Sequence, residues 1–275
     1  MADPLTLVVL GGAAGGAASE LVKKGVECGQ LWLREYFASH QAKVTERAAA
    51  NPSDFLNRLA EKVCKLEEEK SIDRAVVDSV LQDPSYSLLL QKSILSAAES
   101  SSGTKHDLLS RIVSERIRHQ EEDFFSLCAP LAIEAIARCT KDHLKMLSLL
   151  AYMFNLSHKA GLPEPVRAKA FFDAVSPLVD IEVTELDVLH LESISCLSYS
   201  GIVTYAPHQF VDKKFGGDEK VWDALPKYGD INPFLKVWNS MLLHCFPTSV
   251  GQLIGFTAFD QIRGHRTDLA AWGKK

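Results

Sequence analysis

A chain of 275 residues is long enough to bury a sizeable core, as one large domain or two smaller ones. Its 35 acidic against 30 basic residues leave a formal charge of −5, which gives no general attraction to nucleic-acid phosphates or anionic lipid, although it leaves room for a local basic patch. The six cysteines (Cys28, Cys64, Cys128, Cys139, Cys196, Cys245) are scattered without a C-x-x-C pair and several lie on apolar stripes, which points to reduced thiols and, with no secretory signal, to a cytoplasmic protein.

Taken in order, Leu5 to Ala18 is apolar and glycine-rich. The start at Met1-Ala2-Asp3-Pro4 lacks the basic residues of a signal peptide. Glu20, Lys23 and Lys24 arrive before the run reaches the about 20 apolar residues of a spanning helix. Gly11 and Gly15, Gly12 and Gly16, and Gly25 and Gly29 recur four apart, which would put smooth strips on a helix and let another backbone approach closely. Glycine costs a helix roughly 1 kcal/mol relative to alanine, so such strips need tertiary or intersubunit contact to hold. The segment reads as a packed or partly disordered N-terminal helix; self-association through the strips and membrane association through residues 5–18 stand beside that reading.

From Gly29 to Ala50 the pattern is helical, with Leu31, Trp32, Tyr36 and Phe37 apolar. Asn51-Pro52-Ser53-Asp54 reads as a break and a helix start, and Phe55, Leu59, Val63 and Leu66 carry the next stripe. Glu67 to Lys70 is a solvated face or helix end. Helices are expected over Ile72–Leu81 and Tyr86–Ala98, separated by Asp83-Pro84. Ser100 to Thr104 is a connector that lacks the Gly-Lys-Ser/Thr of a phosphate loop.

Lys105 to Ala160 holds three amphipathic helices. Their stripes are Leu108, Leu109, Ile112, Val113, Ile117; then Phe124, Leu127, Cys128, Leu131, Ala135, Ile136; then Leu144, Leu147, Leu150, Ala151, Phe154. Arg111, Glu115, Arg118 and Glu122 are expected on the solvent side. Beyond Gly161 to Pro165 comes a helix over Val166–Val179. Thr184 then caps a helix whose stripe is Leu186, Leu189, Ile194 and Leu197. Gly201 and the β-prone run Ile202 to Tyr205 follow. Leu242 to Phe246 is β-compatible, or ends the helix begun at Pro233. Thr248-Ser249-Val250-Gly251 opens a last apolar helix, Gln252–Ile262.

Helix, strand, returning strand and a Thr-x-x-Gly helix is the order of a winged-helix domain, here with a long insertion, 206–238, in place of the wing. The expected fold class is therefore mainly α: a multi-helix bundle with a degenerate winged-helix-like C-terminal part. Its segments are a small-residue-rich stretch 1–50, a helical core 51–160 and the winged-helix-like part 161–275. A DNA reader needs Lys and Arg on its third helix, yet none occurs between Lys169 and Lys213, while Asp180, Glu182, Glu185, Asp187 and Glu192 do. No DNA partner is expected.

The small-residue N-terminal segment, the helical middle, the stretches Leu144–Phe154 and Leu189–Tyr205, and the tail resemble in layout the bacterial proteins of the Abi-alpha (abortive-infection) type. Thr248-Ser249-Val250-Gly251 together with Asp268-Leu269-Ala270-Ala271-Trp272 carries most of the likeness. The resemblance implies a bacterial cytosolic protein with a part in phage defence. It brings no catalytic residues, and the insertion departs from the simpler wing.

Chemistry has weak candidates. Arg138-Cys139-Thr140-Lys141-Asp142-His143 has the Arg-to-His spacing of HEPN-type ribonucleases, in which the pair stabilises a phosphate and moves a proton. With nine histidines in the chain, about one such spacing arises by chance, and the polar residue usual after the arginine is replaced by Cys139. Cys139 with His143 and His244 with Cys245 are zinc-type ligands, but neighbours on a strand point to opposite faces. No metal site, cofactor or Gly-x-Ser-x-Gly elbow is read. The expectation is thus a protein that works by contact rather than catalysis. Its partner is another copy, through Gly11, Gly12, Gly15, Gly16, Gly25 and Gly29, or a second protein, through the acidic face and the Trp222 and Trp238 insertion.

Overall fold

The computed structural model describes residues 42–158, 162–215, 221–264, 266–269 and 272. The six glycines of the N-terminal strips and the stretch 5–18 lie outside the described residues. Those described form twelve α-helices and two three-residue strands, so the fold is mainly α, a multi-helix bundle. The chain divides into two compact units, one of residues up to Arg138 with those from Asp268 onward, the other Cys139–Thr267. This division falls between two of the three central helices, not at 160.

The first unit contains α1 (Ala42–Glu68), α2 (Arg74–Leu81), α3 (Pro84–Ala98), α4 (Gly103–Arg116) and α5 (Phe124–Arg138). Helix α4 is its axis and packs against α1, α3 and α5. Leu108, Leu109, Ile112, Val113 and Ile117 are buried as their spacing predicts. Being surrounded, α4 also buries polar groups that the periodicity assigns to solvent, Glu115 among them. Each such group is paired, as burial demands. The Arg116 guanidinium donates to Asp83 Oδ2 at 2.8 Å, Ser85 Oγ at 3.0 Å and the His119 carbonyl at 2.6 Å, tying the end of α4 to the start of α3. His106 sits between Asp54 Oδ2 (2.8 Å) on α1 and the Ser100 carbonyl (2.7 Å).

Asp73, Asp83 and Ser102 are the N-caps of α2, α3 and α4, each accepting a backbone N–H of the first turn. The break expected at Pro52 does not occur, because α1 runs through it. Proline removes one backbone hydrogen bond there, and Asn51 Nδ2 reaches across to the Ala98 carbonyl at 3.2 Å, anchoring α1 to the end of α3.

The second unit contains α6 (Lys141–Asn155), α7 (Glu164–Val175), α8 (Glu185–Ser193), β1 (Leu197–Tyr199), α9 (Pro207–Lys214), α10 (Val221–Ala224), α11 (Asn232–Ser240), β2 (Cys245–Pro247) and α12 (Ser249–Arg263). The strands pair antiparallel, Leu197 opposite Pro247 and Tyr199 opposite Cys245. Helix, strand, insertion, returning strand and Thr-capped helix thus appear in the expected order, with Thr248 Oγ1 accepting from Gly251 N at 3.1 Å.

Two details differ from expectation. The first strand precedes Gly201, and Ile202 is 94% exposed. The inner face of α8 is Val188 and Leu191, whereas Leu186 and Leu189 are 78% and 46% exposed. Ser195, at φ 60°, ends that helix in the left-handed region, and Cys196 N donates back to the Leu191 carbonyl at 2.8 Å. That turn carries Cys196 and Leu197 inward.

The most extensive packing in this unit is α12 on α6. A Cβ at Gly255 would lie 2.4 Å from the Leu147 carbonyl oxygen and 2.7 Å from Ala151 Cβ; one at Gly251 would lie 1.7 Å from the Cys196 carbonyl oxygen. Valine at 255 must push the helices apart, so Gly255→Val is expected to cost about 3 kcal/mol, read as a lowered urea midpoint with unchanged slope. A loss below about 0.5 kcal/mol would show that the contact is slack.

Candidate functional site

Helix α5 is apolar on two sides. Its inner side is made of Phe125, Ile133, Ile136 and small residues, Cys128, Ala129, Ala132 and Ala135, all buried. Large residues stand outside: Phe124, Leu127 and Leu131 are 46%, 62% and 53% exposed. The spacing predicts these three as core, and the structure corrects it. Narrow Ala and Cys side chains let α5 close against α3 and α4, so the helix turns that side inward.

The outer residues follow each other by three and four, and the same line continues through Glu134 and Arg138, both exposed. Alternating three-four spacing is the seam of a two-helix contact. Leu88 on α3 is 59% exposed. One turn further along α3, Lys92 pairs with Glu134. The Trp272 ring lies 5.2 Å from that of Phe124, and the exposed Glu121 and Glu122 precede the helix.

His143 is not available for chemistry. It is N3 of α6 and 5% exposed. Its Nδ1 accepts from Thr140 N at 3.2 Å, Thr140 Oγ1 accepts from His143 N at 3.1 Å, and Nε2 donates to Asp187 Oδ1 at 3.1 Å. Asp187 in turn closes the capping box of α8 with Thr184. With both ring nitrogens engaged, His143 ties the start of α6 to the start of α8. Arg138 is exposed at the end of α5.

The described residues of the insertion form a packed helical layer. Trp238 is fully buried, its Nε1 donating to the Tyr205 carbonyl at 2.9 Å and its ring near Phe154, Phe210 and Phe234. It is a core residue, not an anchor for a partner. Trp222 is half-buried, edge-on to Phe234 at 6.3 Å.

A buried polar cluster closes the C-terminal end of α6, which sequence reasoning passed over. Lys214, 3% exposed, donates to the carbonyls of Tyr152 and Leu156 and stands 4.3 Å over the Tyr152 ring. Burial pulls its pKa down to about 7. Burial, with the nearby Lys214 charge, pulls His158 down to about 4, and its Nε2 faces Tyr152 Oη at 3.0 Å. The cluster neutralises helix-end carbonyls. Among the described residues no three His, Cys, Asp or Glu side chains are grouped to hold a metal ion.

A family model matches residues 26–217, well over half of the chain. The chain belongs to that family. The match runs from ahead of α1 to just past α9 and takes in the whole α5 stripe. No curated protein and no solved structure matches the chain.

The His158 environment sets a pH dependence. A histidine depressed in the folded state contributes stability that is complete above its unfolded value near 6.5 and is lost as pH falls through about 4. Between pH 7 and pH 4.5 the wild type should lose about 1 kcal/mol from this group, after allowing for its partial solvent screening. His158→Gln should flatten that part of the profile, checked by urea midpoints at half-unit pH steps.

Proposed function

We propose that the chain is a non-enzymatic assembly protein that pairs with a second copy of itself through the outer stripe of α5. The observation that carries this is the line Phe124, Leu127, Leu131, with three large apolar side chains about half exposed or more, running on into Glu134 and Arg138. A contiguous exposed apolar face of this kind is uncommon on a chain that stays alone.

A second copy fits it by both shape and charge. A two-fold axis near residue 129 sets two α5 helices antiparallel, with Leu127 opposite the second copy's Leu131 and Phe124 against the stem of its Glu134. The acidic turn at Glu122 then meets the second copy's Arg138, and because the interface is isologous each contact occurs twice. Leu88 and Trp272 flank the seam and widen it.

The commitment of His143 to the capping box of α6 and to Asp187 of the next favours contact over the ribonuclease reading. No helix among the described residues is long and apolar enough to cross a membrane. A cytoplasmic setting is supported by Cys64, Cys196 and Cys245 being thiols rather than half-cystines. A part in phage defence belongs to the same proposal and rests on the layout resemblance alone.

Sedimentation at micromolar concentration tests the pairing. The wild type should run as a dimer, and Leu127→Asp combined with Leu131→Asp as a monomer with unchanged helicity and melting temperature. Glu122→Arg should weaken pairing by about tenfold and Arg138→Glu in the same chain should restore it. A monomeric wild type, or a dimer indifferent to the double aspartate, overturns the proposal.

A further inference from the structure

We infer that the second copy is met by two helices rather than one: α3 lies beside α5 in the contact, and Leu88 meets the second copy's Leu88 at the two-fold axis. This rests on the α5 pairing proposed above and names what completes it.

The α5 stripe is too narrow to hold a pair by itself. Phe124, Leu127 and Leu131 are 46%, 62% and 53% exposed. Even at about 200 Å² for each side chain, the size of an aromatic one, they offer roughly 300 Å². The smallest stable interfaces take about 600 Å² from each partner. The rest of the area must come from an element beside α5 on the same face.

Helix α3 is that element, and hydrogen bonds fix how it runs. Arg116 at the end of α4 bonds to Asp83 at the start of α3. Lys105, in the first turn of α4, donates to the Ala137 carbonyl at the end of α5 at 2.8 Å. Both α3 and α5 are therefore antiparallel to α4 and parallel to each other. Lys92 of α3 is ion-paired with Glu134 of α5, 42 residues further along the chain, which sets their relative level. Neighbouring helices rise equally, about 1.5 Å per residue. The offset of 42 thus puts Leu88 level with residue 130, between Leu127 and Leu131.

Leu88 is 59% exposed, and Lys92 and Leu95 follow it by four and three, so the three share one side of α3. Because Lys92 joins Glu134, which is in line with Leu127 and Leu131, that side continues the α5 stripe. A two-fold axis level with residue 129 of α5 is level with residue 87 of α3 by the same offset. Leu88 then stands about 3 Å along the helix direction from its own copy, whereas Leu95 stands about 24 Å from its own. The pair is a layer of α3 and α5 laid on the same layer turned over, four helices about one seam.

The test uses the full chain. Leu88→Asp, at a side chain that already faces solvent, sets two carboxylates against each other at the axis. It should weaken pairing at least tenfold by sedimentation with helicity unchanged. Leu88→Cys should give a disulfide-linked dimer on mild oxidation with glutathione disulfide, and Leu95→Cys none above the wild-type background. A monomeric wild type overturns the α5 pairing and this inference with it. A wild-type dimer whose Kd is indifferent to Leu88→Asp, or in which Cys at 88 and at 95 cross-link alike, leaves α5 pairing in place and overturns the part assigned to α3.

Discussion

Helix α12 can lie against α6 and the turn before β1 only because nothing projects from it at residue 255 toward the one and residue 251 toward the other. The Leu147 and Cys196 carbonyls occupy the space that any Cβ would need. Everything arranged around that contact inherits its tightness. The inward turn after Ser195 and the start of β1 adjoin Cys196, and the Thr248 cap stands three residues ahead of Gly251. The same rule operates in α5 with alanine in place of glycine. Small side chains face the bundle, the backbones close up, and the large residues are left on the outside. One geometric economy thus produces both the best-packed contact of the second unit and the most exposed apolar stripe of the first.

Polar residues in the two units work at helix ends. Arg116 joins the end of α4 to the cap of α3, His143 and Asp187 join two capping boxes, and Lys214 collects the last carbonyls of α6. Each answers the same need, since helix termini leave backbone groups without partners and burial makes that expensive. His119 is the exception among them, half answered by Asp123 and buried without a hydrogen bond at its other ring nitrogen.

Much of this architecture is legible from spacing alone. The three central helices, the Thr184 and Thr248 caps and the helix–strand–strand–helix order follow from periodicity and capping chemistry, which are local. What escapes is which of two apolar faces turns inward. Periodicity cannot choose between Leu127 and Ala129 on α5, or between Leu186 and Val188 on α8, because hydrophobicity counts large residues as core while packing prefers those that fit. The alanines at 129, 132 and 135, with Glu134 and Arg138 in line with the leucines, are the signal that decides it. The Gly251 and Gly255 pair likewise has the same four-residue spacing as the N-terminal strips, yet inside an apolar helix it does not stand out. Burial of Glu115 and of the His119 ring depends on neighbours distant in sequence, which no local pattern encodes.

The segment between β1 and β2 has become structural in its own right. Trp238, Phe210 and Tyr205 all pack around Phe154, edge-on or tilted, and Phe246 of the returning strand joins them. Excising residues 206–238 and joining the strands by a simple hairpin would strip that aromatic cluster of Phe210 and Trp238 and leave the foot of α6 open to water. In a domain built this way the connection between the strands cannot be shortened to a hairpin without dismantling the core it completes.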